Sequence, residues 1–226
     1  MMTRSNFDRE LEELHNHMIQ MASLVEEAIE GTINALLKHD MVLAKLVHEG
    51  DDQIDNLEKV IEKQCLNLIA KQQPIAKDLR TIGAALKIIT DLERIGDHCS
   101  DIAKITMGLA DEKFIKPLVD IPKMAMCVKL MVKQSIDAYV RQDVELGRTI
   151  YFSDDEVDGL FEKVIFDVMV IMKNNPTAVE QGIKLILIAK YLERMADHAT
   201  NIGEWVVYNV TGEHDVYTSQ QQLPQQ

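Results

Sequence analysis

The sequence is short of residues that break helices or build sheets: ten glycines, five prolines, one tryptophan and only 5% aromatic residues in 226 positions. So few turn formers leave little room for the many tight turns of an all-β fold, and the abundance of Leu, Ile, Met, Ala, Glu and Lys favours helices. Cysteine is scarce as well. Cys65, Cys99 and Cys127 are odd in number and far apart, which excludes a disulfide framework and leads us to expect a reducing, cytoplasmic setting. No long apolar run occurs. Residues 164–172 are apolar but interrupted by Asp167, too short to cross a bilayer, and no signal segment is recognisable. Basic charge is lacking too: 24 Lys and Arg against 37 Asp and Glu give a formal net charge of -13. A nucleic-acid backbone or an anionic membrane surface is therefore repelled, whereas cations are well-matched ligands.

What the sequence does have is a repeat. Leu-Glu-Arg-Ile-Gly-Asp-His-Cys-Ser-Asp-Ile at residues 92–102 returns as Leu-Glu-Arg-Met-Ala-Asp-His-Ala-Thr-Asn-Ile at 192–202, identical at six of eleven positions. The chain around it reads as two copies of one helical unit. Leu11, Leu14, Met18, Met21, Val25 and Ile29 recur at helical spacing, predicting a first helix over about 6–38 with Ser5 as its N-cap. Asp40 caps a second helix that carries Leu43, Val47, Ile54, Leu57, Ile61, Cys65 and Leu68 and stops at Gln72-Gln73-Pro74. Pro74 opens a third, through Leu79, Ile82, Leu86 and Ile89 to about Leu109. Residues 111–121 form a charged, proline-bearing linker. Three further helices follow, over about 122–141, from Asp143 to Asn174-Asn175, and from Pro176 to about Val210, before a glutamine-rich tail (211–226) expected to be disordered. The expected fold is all-α: two tandem, pseudo-symmetric three-helix bundles (1–110 and 122–210), packed side by side or end to end.

The acidic residues of the repeat carry the chemistry. At about 100° per residue, Glu93, Asp97 and Asp101 form a stripe drifting by about 40° per step, opposite the apolar stripe of Leu92, Ile95, Cys99 and Ile102. Glu193, Asp197 and Asn201 do the same in the second copy. A hairpin turning near residues 72 and 73 sets Asp51 opposite Arg94 and Asp55 opposite Thr90; one turning near 175 sets Asp154 opposite Ala196 and Asp158 opposite Leu192. Each acidic pair thus acquires a facing Asp-x-x-x-Asp. Carboxylates one helical turn apart repel each other, and a bridging cation reverses that cost. The competing reading is a solvated face neutralised by Arg94 and Lys104, which the duplication of both motifs disfavours. His98 and His198 lie off this stripe and suit packing or surface roles rather than ligation.

These motifs, with Glu-Gly-Asp at 49–51 and Ile-Ala-Lys-Gln-Gln-Pro at 69–74, resemble the PhoU family of bacterial phosphate-signalling regulators over about residues 8–210. The resemblance implies a non-enzymatic, cytoplasmic adapter, peripheral to the membrane through its partners. Those partners would be the ATPase of a phosphate ABC transporter and a phosphate-sensing histidine kinase, with a homodimer also expected. It would keep phosphate uptake and the starvation response in check. It also implies metal ions (iron, zinc, manganese or magnesium) at Glu93, Asp97, Asp101, Glu193 and Asp197, with Asp51, Asp55, Asp154 and Asp158 as facing ligands. Asn201 in place of an acid predicts a weaker second site. A di-iron metalloenzyme is the alternative, but such centres repeat Glu-x-x-His inside the bundle, and here Glu12/His15 occurs once.

Overall fold

In a computed structural model, which describes residues 2–109 and 112–213, every regular element is helical. The long helices are α1 (Met2–Lys38), α2 (Met41–Gln72), α3 (Ala76–Met107), α4 (Asp120–Arg141), α5 (Val144–Asn174) and α6 (Val179–Thr211). Helices α1, α2 and α3 pack on one another, as do α4, α5 and α6. The two bundles sit side by side, α3 against α6 and α1 against α4. Residues 214–226 of the expected disordered tail, and the start of the linker at Asp111, lie outside the described residues.

Capping explains where several helices begin. The Asp40 carboxylate accepts a hydrogen bond from the Leu43 amide and that of Asp143 from the Leu146 amide, each at 3.0 Å, satisfying donors that a helix start leaves free. Other boundaries differ from the sequence expectation. Helix α1 is already under way at Met2, so Ser5 lies within it; nothing from Thr3 to Asp8 obstructs a helix. Helix α4 starts two residues before Pro122, which the first turn tolerates because no intrahelical bond is lost there. Pro74 lies in the turn rather than in α3, and Gln73 takes a left-handed φ of 45° to make that turn. Pro176 opens a separate 3-10 turn, Pro176–Ala178, ahead of α6.

The apolar stripes of the repeat form the centre of the molecule. Leu92, Ile95, Cys99 and Ile102, and likewise Leu192, Met195, Ala199 and Ile202, are buried; Leu79, placed on the same pattern, is instead exposed. Helices α3 and α6 run antiparallel, as three contacts along their length establish. Thr81 donates to Asn209 Oδ1 at 2.9 Å, His198 Nδ1 meets Asp91 Oδ1 at 2.9 Å, and Lys184 donates to the Gly108 carbonyl at 3.0 Å. The connector is tied down by Gln181, which accepts from the Ile115 amide at 2.6 Å and donates to the Lys113 carbonyl at 3.0 Å. At its end the buried Asp120 carboxylate receives Lys163 at 2.8 Å. All three cysteines are free thiols, and burial pushes Cys65 and Cys99 up to about 12, so neither is a nucleophile at neutral pH.

Candidate functional site

The turn between α2 and α3 centres on Pro74, and that small displacement resets the register of the hairpin. Ile54 and Asp51 pack against Gly96, and His48 reaches Ser100. Asp51 is thereby brought beside Asp97 rather than Arg94, and Asp55 moves to the level of Glu93. Oxygen atoms of Asp51, Asp55 and Asp97 lie within 4.8 Å of one another, in half-buried surroundings. Glu93 adjoins them with its side chain 18% exposed. Arg94 is the only cation in direct contact with the group among the described ion pairs besides Lys59. It lies 2.9 Å from Asp97 and 3.5 Å from Glu93, whereas Lys59 stands 3.9 Å from Asp55.

The acids are too many for these partners. Burial, reinforced by the Asp97 and Asp55 charges, pushes Asp51 up to about 6; burial, then Asp97, pushes Glu93 up to about 7. Glu58, one turn along α2 from Asp55, is raised in the same way and belongs to the cluster, although the sequence reading passed over it. Its position was visible: it continues the Asp51/Asp55 stripe at the i+3 step. Asp51 Oδ1 is enclosed and has no hydrogen-bond partner. A buried carboxylate oxygen without a donor is costly, and it is the kind of vacancy a hard cation fills.

The second bundle repeats the arrangement. Asp154 lies close enough to Asp158, Asp197 and Glu193 for all three to raise its pKa after burial, to about 7, and Asp154 Oδ1 is likewise enclosed and without a partner. The same orphaned atom therefore occurs at the equivalent position of both repeats. The surroundings differ. Lys190 clamps Glu193 through both carboxylate oxygens at 2.5 Å and lies over the Phe161 ring, in the place that Glu58 takes in the first repeat. The second cluster thus sets Lys190 on Glu193 where the first has Glu58 beside Asp55, and Asp155 adds its charge to Asp154.

Asp101 and Asn201 sit elsewhere. Asp101 pairs with Lys104 at 3.3 Å and meets the Tyr191 hydroxyl; Asn201 donates to Asp91 at 3.3 Å. Both line the α3/α6 interface. His98 and His198 lie there too, their rings 5.7 Å apart, with His98 against Tyr191 and His198 on Asp91. The pairs obey the pseudo-twofold: position 98 meets 191 as 198 meets 91.

Comparison with known proteins gives these clusters a family context. The PhoU domain model matches twice, at residues 18–106 and 121–206. The chain belongs to the PhoU family. Two proteins named phosphate-specific transport system accessory protein PhoU homolog illustrate how complete the likeness is. That of Clostridium acetobutylicum is 41% identical over 93% of this chain and 97% of its own length, and that of Aquifex aeolicus 40% identical over 91% and 93%. The crystal structure of PhoU from Pseudomonas aeruginosa superposes with a TM-score of 0.88 at 35% identity, covering 92% of this chain and all of that one. The Streptococcus pneumoniae phosphate transport system regulatory protein PhoU gives 0.87 at 28% identity. Among the described residues of this PhoU-family chain no helix is long and apolar enough to cross a membrane.

Proposed function

We propose that the chain is a negative regulator of phosphate uptake and of the phosphate-starvation response. In this reading it is a cytoplasmic adapter, not an enzyme, held at the inner face of the membrane by the transporter ATPase and passing the transporter's state to a sensor histidine kinase. The observation that carries the reading is the end-to-end correspondence with proteins named for the phosphate-specific transport system, at 41% identity over 97% of one relative's length. Its net charge of -13 suits contact with basic partner surfaces rather than lipid headgroups.

The two carboxylate clusters fit resident cations. Each offers short acids on facing helices, an enclosed oxygen with no donor, and pKa values raised by burial first and mutual repulsion second, which a divalent or trivalent ion would lower again. Asp51, Asp55, Glu93 and Asp97 would hold an ion in the first cluster, with Glu58 at its edge; Asp154, Asp158, Glu193 and Asp197 would do so in the second. All-oxygen donors suit iron, manganese, magnesium or zinc according to supply. The ions would neutralise the grooves and fix α2 on α3 and α5 on α6.

A phosphate-responsive reporter in cells lacking this protein tests the function. Constitutive expression in high phosphate, restored to repression by the unsubstituted chain, is the expected result; normal repression in the deletion strain overturns the reading. Metal content is checked separately, by elemental analysis after gentle purification. Glu93→Ala and Glu193→Ala should each lower it, and identical content in both variants and the parent would remove the cation from the account.

A further inference from the structure

The duplication supplies its own control on what the fold requires. Placing Asp51 on Asp154 and Glu93 on Glu193 aligns α2 with α5 and α3 with α6, position by position. On the outer side of the second hairpin Phe166, Met169 and Val170 of α5 and Ile183 and Leu187 of α6 are all exposed, Phe166 by 63% and Ile183 by 51%. They adjoin one another. A Cβ on Gly182 would fall 2.7 Å from the Met172 sulfur and 3.1 Å from Val168, which sets Ile183 level with Met169. The first repeat has Lys63, Leu66, Asn67, Gly83 and Lys87 at these five positions, so only Met169 has an apolar counterpart. The architecture therefore forms without these side chains, and five of them on two neighbouring helices are a patch rather than scattered surface residues. Acids continue it. At about 100° per residue Asp155, Glu162, Phe166 and Met169 stay within about 60° of one another on α5, and both acids are exposed and outside the set offered above as cation ligands. Lys59 stands at the position of Glu162 in the first repeat.

We propose that the outer face of α5 and α6 docks an amphipathic helix of a partner protein, with the apolar stripe of that helix on Phe166, Met169, Ile183 and Leu187 and its lysines or arginines beyond the stripe, against Glu162 and Asp155. This rests on the adapter reading above and gives it a contact surface. Two helices lying side by side with apolar residues along their shared outer face form the groove into which a third helix lays its anchors at i, i+3 or i+4, and i+7. Charge selects the occupant. A second copy of this chain would bring a surface of net charge -13 against Glu162 and Asp155, which opposes self-association here. The chain's own end does not cover the patch either: at 1.5 Å per residue Gly212 stands about 43 Å along α6 from Ile183, about the whole reach of residues 214–226. A basic helix is drawn to the second hairpin and repelled from the first by Lys59, Lys63 and Lys87, so one partner helix binds one repeat.

The relatives are named as accessory proteins of the phosphate-specific transport system, so the probe is the purified ATPase subunit of the phosphate transporter, titrated into the full-length protein at low and at high salt. Phe166→Lys with Leu187→Lys, the side chains of the first repeat, is expected to weaken binding by about 30-fold or more at an unchanged melting temperature. Glu162→Lys should weaken it by about 10-fold at low salt and by less at high salt. Lys63→Ala with Lys87→Ala, the matching positions of the first repeat, should leave the affinity nearly unchanged. Parental affinity of the Phe166→Lys/Leu187→Lys protein overturns the proposal, as does a loss no larger than that of the Lys63→Ala/Lys87→Ala protein. A change confined to the oligomeric state of the chain itself, read by light scattering, overturns it as well, since a second copy would then be the occupant. Failure of the unsubstituted chain to bind the ATPase at all would instead overturn the adapter reading, and this proposal with it.

Discussion

Metal-free protein carrying Asp51→Asn and Asp154→Asn together is expected to melt above the unsubstituted chain at pH 8, and to lose most of the stabilisation that added Mn2+ gives the parent. The reason is the sign of the pKa shifts. Both carboxyls are raised in the folded state, Asp51 to about 6 and Asp154 to about 7, by burial first and neighbouring carboxylates second. The folded protein thus binds more protons than the unfolded one between the ordinary carboxylate range, about pH 4, and those raised values, so stability falls as pH rises through that window. Below it both states are protonated and the two proteins should melt alike; above it the parent carries the full penalty. Each pKa unit corresponds to about 1.4 kcal/mol, and screening by the water that still reaches both groups reduces the total to on the order of 3 kcal/mol. For a chain of this length that is about 6 to 12 °C in melting temperature. Asparagine keeps the shape and brings an amide that can donate to the remaining carboxylates. Glu93, also pushed up to about 7, leaves the double variant a smaller slope of the same sign. Calorimetry of both proteins at pH 5 and pH 8, with chelator and then with Mn2+, reads all four quantities; equal melting temperatures at pH 8 in chelator would mean the clusters carry no such strain.

The helices that hold these clusters were legible in the sequence because one physical signal, apolar residues at a period of 3.6, runs nearly unbroken through each of them. Asp40 was legible as a cap for the same reason: a short acid directly before a periodic run has a local job, which it performs at 3.0 Å, and Asp143, read only as the start of the fifth helix, does the same. Register was not. It depends on where a three-residue turn is centred, and the left-handed Gln73 with Pro74 beyond it moved the facing residue of Asp51 from Arg94 to the level of Asp97. Helical phase has a related limit. It says which side of α3 an acid is on but not which neighbour waits there, and α3 has both α2 and α6 beside it. A stripe drifting by about 40° per step starts in the α2 groove at Glu93 and Asp97 and has turned toward α6 by Asp101. That is why Asp101 and Asn201 belong to the contact between the bundles. The two clusters themselves differ through other residues, Glu58 in one repeat and Phe161 with Lys190 in the other.

The repeat was equally silent about where its two copies differ in packing, and one such place yields opposite results for the same substitution. Gly83→Ala is expected to raise stability and Gly203→Ala to lower it, though both glycines lie inside long helices with ordinary helical backbone. At Gly83 a Cβ would meet nothing within 4 Å, so the change only removes backbone freedom from the unfolded chain, a gain of about 0.5 to 1 kcal/mol. At Gly203 the Cβ would fall 2.8 Å from the Gly147 carbonyl oxygen and 3.2 Å from Ile150. The first of these is main chain of α5 and cannot swing aside as a side chain would. Helices α5 and α6 must separate locally, against a core in which Ile150, Val206 and Val207 are fully buried. Overpacking of this kind costs about 1 to 3 kcal/mol, which outweighs the propensity gain and leaves a net loss of about 1 kcal/mol, or about 2 to 4 °C in melting temperature. The equivalent crossing of α2 and α3 already contains Ala44 and Ala103, both buried, so the fold as such accepts the methyl groups; it is the closeness of α5 to α6 that refuses them. Thermal melts of the two single variants in chelator decide it, since a Gly203→Ala protein as stable as Gly83→Ala would mean that the two backbones do not in fact touch.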